Sequence, residues 1–226
     1  MKSIGFYIIG IFFLSSCGLQ VIDSQSSGAL DSSCDTCGYY LNSNKELVSW
    51  PKNKPLVFVF DSKFPASMKE TVIRAAKSYS NILSFNPIVI DETKVYNGSE
   101  IVPNSKSGVS SQVSDNINVI YYIENSSVID LVNKNALAIT LIKSTSNIIL
   151  EADIMINKKM FSSFKTTSEY SVDKLFLTMV HEFGHALGRV HTKEGIMKST
   201  LDFNLTKENV FGDIDEVILD KKFYVI

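Results

Sequence analysis

The residues best equipped for chemistry stand close together: His181-Glu182-Phe183-Gly184-His185-Ala186-Leu187-Gly188-Arg189-Val190-His191. The protein has 3 histidines, and all of them lie in this stretch. Leu175, Met179, Val180, Phe183 and Leu187 form an apolar stripe, which predicts a helix over 172–187 seated against a core. His181 and His185 are four residues apart, so they share one helix face, about 6 Å apart along the axis. Gly188 can take a positive φ, end the helix and turn the chain, which lets His191 swing back as a third ligand. Three neutral imidazoles suit Zn²⁺ and leave its fourth position open for water, as in a catalytic rather than a structural site. Glu182 points about 100° round the helix from His181. From there it can take a proton from water activated by the cation and return it to a leaving amine. The expectation is one catalytic zinc held by His181, His185 and His191, with Glu182 as general base.

Such a site needs a rigid frame. Ser171 is the expected N-cap of the active-site helix, with Asp173 in its first turn. Pro55-Leu56-Val57-Phe58-Val59-Phe60 reads as a buried strand, and residues 65–83 as a helix. Short strands follow at Pro87–Ile90, Ile117–Ile123, Ala136–Ile142 and Ile148–Ile156. A polar loop spans 97–116, and a last helix is expected over roughly 206–221. Strands and helices interleave without an internal repeat, which makes this an α/β (α+β) domain.

The chain has 226 residues, 45% of them apolar and 20% charged, enough for one core and too few for two full domains. A net charge of -2 provides no basic field, so nucleic acid is excluded as the expected partner. Residues 1–16 combine Lys2 with an apolar run from Ile4 to Leu14, the pattern of a secretory signal and too short to span a bilayer. Residues 17–47 are expected to form a flexible tether, since most of that stretch is rich in Ser, Gly, Asp and Asn. Cys34 and Cys37 lie in it; outside the cytoplasm their simplest state is a small disulfide loop. The catalytic domain is expected over 48–226.

Leu14-Ser15-Ser16-Cys17 resembles the lipobox of bacterial lipoproteins. That resemblance implies cleavage before Cys17 and a lipid on it, hence a place in the bacterial cell envelope, at the outer membrane or cell surface, with plain secretion as the alternative. The histidine segment resembles the metzincin signature HExxHxxGxxH, and Met197 in Gly195-Ile196-Met197 resembles the Met-turn that follows it. Within the clan the chain is most similar to the matrixin catalytic domain over about residues 48–221. The resemblance implies a zincin-like fold: a twisted mixed five-stranded sheet with an antiparallel edge strand, an active-site helix and a C-terminal helix. It implies that Met197 packs beneath the zinc ligands without binding the metal. It also implies that Leu137, Ala138, Ile139 and Thr140 lie on the edge strand above the zinc, where an extended peptide would pair.

The departures are specific. Thr192 follows His191, and Lys198-Ser199-Thr200 replaces the Pro-x-Tyr expected after the Met-turn, so neither subgroup nor cleavage preference carries over. No histidine is left for a second zinc, and 124–135 has no calcium-loop pattern, so calcium gains no support. Cys37-Gly38 echoes a cysteine that blocks the metal in matrixin pro-segments, without the flanking Arg and Asp. The expected function is a monomeric, lipid-anchored zinc endopeptidase acting on extracytoplasmic proteins. The alternatives are a non-catalytic zinc-binding surface lipoprotein or adhesin, and a structural envelope lipoprotein whose histidines are incidental.

Overall fold

Alternating apolar residues build the sheet on which everything else rests. The computed structural model describes residues 17–23, 40, 46–51, 54–80, 86–98, 115–123, 136–145, 147–161, 169–192 and 195–199. In chain order these form β1 (Cys17–Asp23), β2 (Leu56–Asp61), α1 (Ala66–Ser80), β3 (Ile88–Tyr96), β4 (Asn118–Ile123), β5 (Ala138–Thr145), β6 (Ile148–Asn157), a short α2 (Lys158–Phe161) and α3 (Glu169–Ala186). The sheet order is β1-β5-β6-β4-β2-β3. β2 runs parallel to β3 and β4, and β4 parallel to β6. β5 returns antiparallel on β6. Strands β2 to β6 therefore make a mixed five-stranded sheet with one antiparallel pair.

The sheet has two apolar faces, separated by the two-residue period of the strands. Phe58 and Phe60 of β2, Ala138 and Ile142 of β5, and Ala152, Ile154 and Ile156 of β6 join the larger core. Their alternates Val59, Ile139, Leu141 and Met155 join a smaller cluster. The larger face carries both long helices. From α1 come Val72, Ala75, Ala76 and Tyr79; from α3 come Met179, Val180 and Phe183. Phe183 packs at 5.4 Å from Phe58 and edge-on at 6.5 Å from Tyr79, measured between ring centroids. Tyr79 Oη donates a 2.6 Å hydrogen bond to the carbonyl of Val180. Each such fully buried apolar side chain contributes about 1.5–3 kcal/mol relative to exposure, so this seam seats α3 firmly beside β5.

Three expectations change. The antiparallel strand bearing Ala138, Ile139 and Thr140 is not outermost: β1 pairs with it in parallel, setting Gly18 opposite Ile139 and Leu19 opposite Thr140. Leu137 stands just before it and gives its carbonyl to the backbone N–H of Asn157 at 2.9 Å. An uncovered edge presents a row of unmet N–H and C=O groups, and the chain's own extended segment satisfies them. Cys17–Asp23 is accordingly strand rather than tether, and folded contacts reach back to Tyr40, whose N–H bonds the carbonyl of Gly188 at 2.9 Å. Ser171 lies inside α3 rather than capping it, because the helix already begins at Glu169; Glu sustains helical backbone well, and ends commonly shift by one or two residues. Cys34, Cys37 and the helix expected over 206–221 lie outside the described residues. Among the described residues no helix is long and apolar enough to cross a membrane.

Candidate metal centre

The site grows from the C-terminal turns of α3 and the loop behind them. His181 and His185 are fully buried on this helix. Beyond Ala186 the helix stops on Gly188, at φ 97°, a left-handed value that L side chains adopt only under strain. A Cβ there would also press on the carbonyl of Val48. The reversal directs His191 back, and its Nε2 stands 3.2 Å from Nε2 of His185. Two nitrogens at 2.0–2.1 Å from one tetrahedral ion are separated by about 3.3–3.4 Å. The spacing is that of two ligands sharing a cation. The three ring centroids are 4.6, 5.3 and 4.8 Å apart, and their ligand atoms lie within 4.8 Å of one another.

Hydrogen bonds at the far side of the rings decide which nitrogen faces the centre. Nδ1 of His181 lies 2.6 Å from the carbonyl of Ile196, and Nδ1 of His185 lies 2.7 Å from the carbonyl of Arg189. A carbonyl only accepts, so Nδ1 carries the proton in both rings and Nε2 keeps its lone pair. Nε2 of His181 is buried with no hydrogen-bond partner in the protein. Leaving a buried polar atom unmet costs about 1–3 kcal/mol. A cation at the centre would satisfy it, and the donor set of three imidazoles suits Zn²⁺.

Electrostatics keep the rings in ligand-ready form. Burial pushes His181 down from 6.5 to about 3, helped by His191 and opposed by its bond to Ile196. Burial, then His181 and His191, hold His185 well below the usual imidazole range. Burial also lowers His191. All three are neutral near neutral pH, as metal binding requires.

Comparison with known proteins adds little. No family model matches the chain. No curated protein matches it. Among solved structures it is similar to myroilysin, at 13% identity and a TM-score of 0.36, over 78% of this chain and 52% of that one. The chain thus spans about half the length of myroilysin.

Met197 is buried against the middle of the motif. A Cβ on Gly184 would overlap its Sδ and come within 3.1 Å of its Cε. Gly184 is therefore the gap through which the methionine reaches the underside of the helix between the two ligands. Its loop is closed by Thr192 N–H to the Met197 carbonyl at 3.0 Å and by Lys198 N–H to the Gly195 carbonyl at 3.1 Å, with Gly195 at φ 76°. This turn holds the Ile196 carbonyl against His181. The sequence-based reading missed the two carbonyl orienters, since a backbone oxygen leaves no trace in residue type. Gly184 was open to reading: a glycine inside a helix is unfavourable by about 1 kcal/mol and often marks a close approach.

Glu182 is fully buried beside His181 in sequence, and its Oε2 accepts a 2.6 Å hydrogen bond from Thr140 Oγ1. Thr140, expected on the strand whose backbone would pair with a peptide, turns its side chain to the helix. Ala138 joins the same inner core, while Ile139 packs on the opposite face.

Proposed function

We propose that the protein is a zinc-dependent endopeptidase. The observation that carries this reading is the converging trio His181, His185 and His191, with an orphaned Nε2 and a carboxylate on the next residue of the same helix. Zn²⁺ held there would supply Lewis acidity, polarising a peptide carbonyl and bringing the pKa of water to about 7. The chain's own groups do the rest. His181 and His185 hold their rings by donating Nδ1–H to fixed carbonyls. Glu182 accepts a proton from the attacking water at a carboxylate oxygen and passes it to the amine of the departing peptide. Burial excludes bulk water from this exchange.

An extended protein or peptide substrate would add to β5 in place of β1, on the side that β1 now covers. That occupancy is the observation favouring the second reading, a zinc-binding surface protein without turnover. We further propose that Cys17 is acylated and ties the protein to the outer membrane or cell surface; mass spectrometry of the mature N-terminus should show a diacyl or triacyl cysteine. The two functional readings separate in one experiment. Purified zinc-loaded protein incubated with a peptide library should cleave it, Glu182→Ala should not, and both should bind one zinc. Zinc at unit stoichiometry without cleavage by the wild type would establish the second reading instead.

A further inference from the structure

We infer that Thr140 is the positioning residue for Glu182, a role that rests on the peptidase reading and adds a residue outside the histidine motif. Thr140 sits in β5, 42 positions before Glu182 in the chain, and both side chains are 0% exposed. Its hydroxyl has two acceptors within reach: Glu182 Oε2 at 2.6 Å and the Glu182 backbone carbonyl at 3.2 Å. A hydroxyl owns one hydrogen, and the shorter approach, to the carboxyl oxygen, takes it. The bond lies where water cannot compete.

Strand geometry makes the contact rigid. Thr140 is β-branched, so few χ1 rotamers are open to it. Its backbone is flanked on both sides, by Leu19 of β1 and Ile154 of β6. On the same inward row Ala138 and Ile142 are apolar core residues. A hydroxyl in that row has no packing purpose that valine, its near-isostere, would not serve better. What it supplies is a fixed donor for one carboxylate oxygen. That sets the rotation of the carboxylate about its last bond, which for glutamate is otherwise broad. A base helps only when its oxygen is held within hydrogen-bond reach of the proton it takes.

The test uses four variants of the full chain: Thr140→Val, Thr140→Ser, Glu182→Ala and the double variant Thr140→Val with Glu182→Ala. Zinc-loaded Thr140→Val should lose roughly 10-fold or more in kcat with KM within about 2-fold, because an oriented base acts in the transition state and not in binding. Thr140→Ser, which restores the donor, should recover most of that loss, and zinc affinity measured by chelator competition should be the same in all. A second readout needs no activity. In metal-free protein, Thr140→Val should lower the urea unfolding midpoint when Glu182 is present but not in the Glu182→Ala background. Wild-type kcat in Thr140→Val, or an equal fall of the midpoint in both backgrounds, overturns the inference. A wild-type protein that binds zinc and cleaves nothing overturns the catalytic role and the peptidase reading together. The midpoint comparison then still decides whether the Thr140–Glu182 coupling exists.

Discussion

A histidine buried without a charge partner is kept neutral by its surroundings, and that fact governs the chemistry of this centre. His181 falls from 6.5 to about 3 on folding. Between those values the unfolded chain binds more protons than the folded one, so the stability of metal-free protein should fall as pH drops through that window. Urea unfolding midpoints between pH 7 and pH 4 would show the decline. Bound zinc should be released over the same acid range, because protons and metal compete for Nε2. Glu182→Gln should keep the zinc and lose about 10²–10⁴-fold in kcat, read from steady-state cleavage beside metal analysis. Gly184→Ala puts a methyl into Met197. Overpacking of this kind typically costs about 1–3 kcal/mol, and calorimetry of the metal-free variant should find it, with a weaker hold on zinc as α3 shifts. The three histidines and Glu182 were legible from residue types and spacing; the burial that lowers His181, the Gly184–Met197 contact and the orienting groups were not. His181, His185 and His191 declared themselves by spacing, whereas the carbonyls of Ile196 and Arg189 belong to the backbone and carry no residue signature.

Elements were legible where a period was strong and a breaker stood near. α3, β2 and α1 follow from apolar periodicity with Pro55, Pro65 and Gly188 as punctuation. β3 runs on to Tyr96, beyond the expected end at Ile90, because Asp91, Glu92 and Lys94 break the apolar pattern without breaking the strand. Glu92 and Lys94 are exposed and Asp91 is half-buried, and a sheet edge tolerates charge. The partner of β5 was not legible: Cys17-Gly18-Leu19-Gln20-Val21-Ile22-Asp23 lacks a clean alternation, and pairing Cys17 with Ala138, across most of the chain, is a tertiary choice. Gly188→Ala tests the helix end. A left-handed alanine costs about 1–2 kcal/mol, and here its Cβ would also push on Val48. The variant should unfold at lower urea and bind zinc less tightly, since Arg189 and His191 follow directly.

At the scale of the molecule, the same sheet that carries the metal centre buries acid on its flank. Asp153 is held well above the usual carboxylate range by burial, with Glu151 and Asp115 adding to it, although Val119 N–H donates to its Oδ1 at 2.8 Å. A raised acid stabilises the fold while it is protonated. That contribution is full at low pH and is lost as pH rises from about 3.8 through the raised value. Asp153→Asn keeps an acceptor for Val119 and removes the charge, so its melting temperature should exceed the wild type's at pH 7, the gap closing toward pH 4. The α/β class was legible from the alternation of elements, whereas the mixed five-stranded sheet was expected only from the family resemblance. This buried acid was not legible, because Glu151-Ala152-Asp153 reads like any alternating strand until its faces are known. The central claim is that three imidazoles of this chain hold one zinc ion with a position left open. X-ray absorption at the zinc edge of the purified protein tests it most directly. It should show three nitrogen donors at about 2.0–2.1 Å with one oxygen; sulfur donors, fewer than three imidazoles, or no zinc in a folded protein would contradict it.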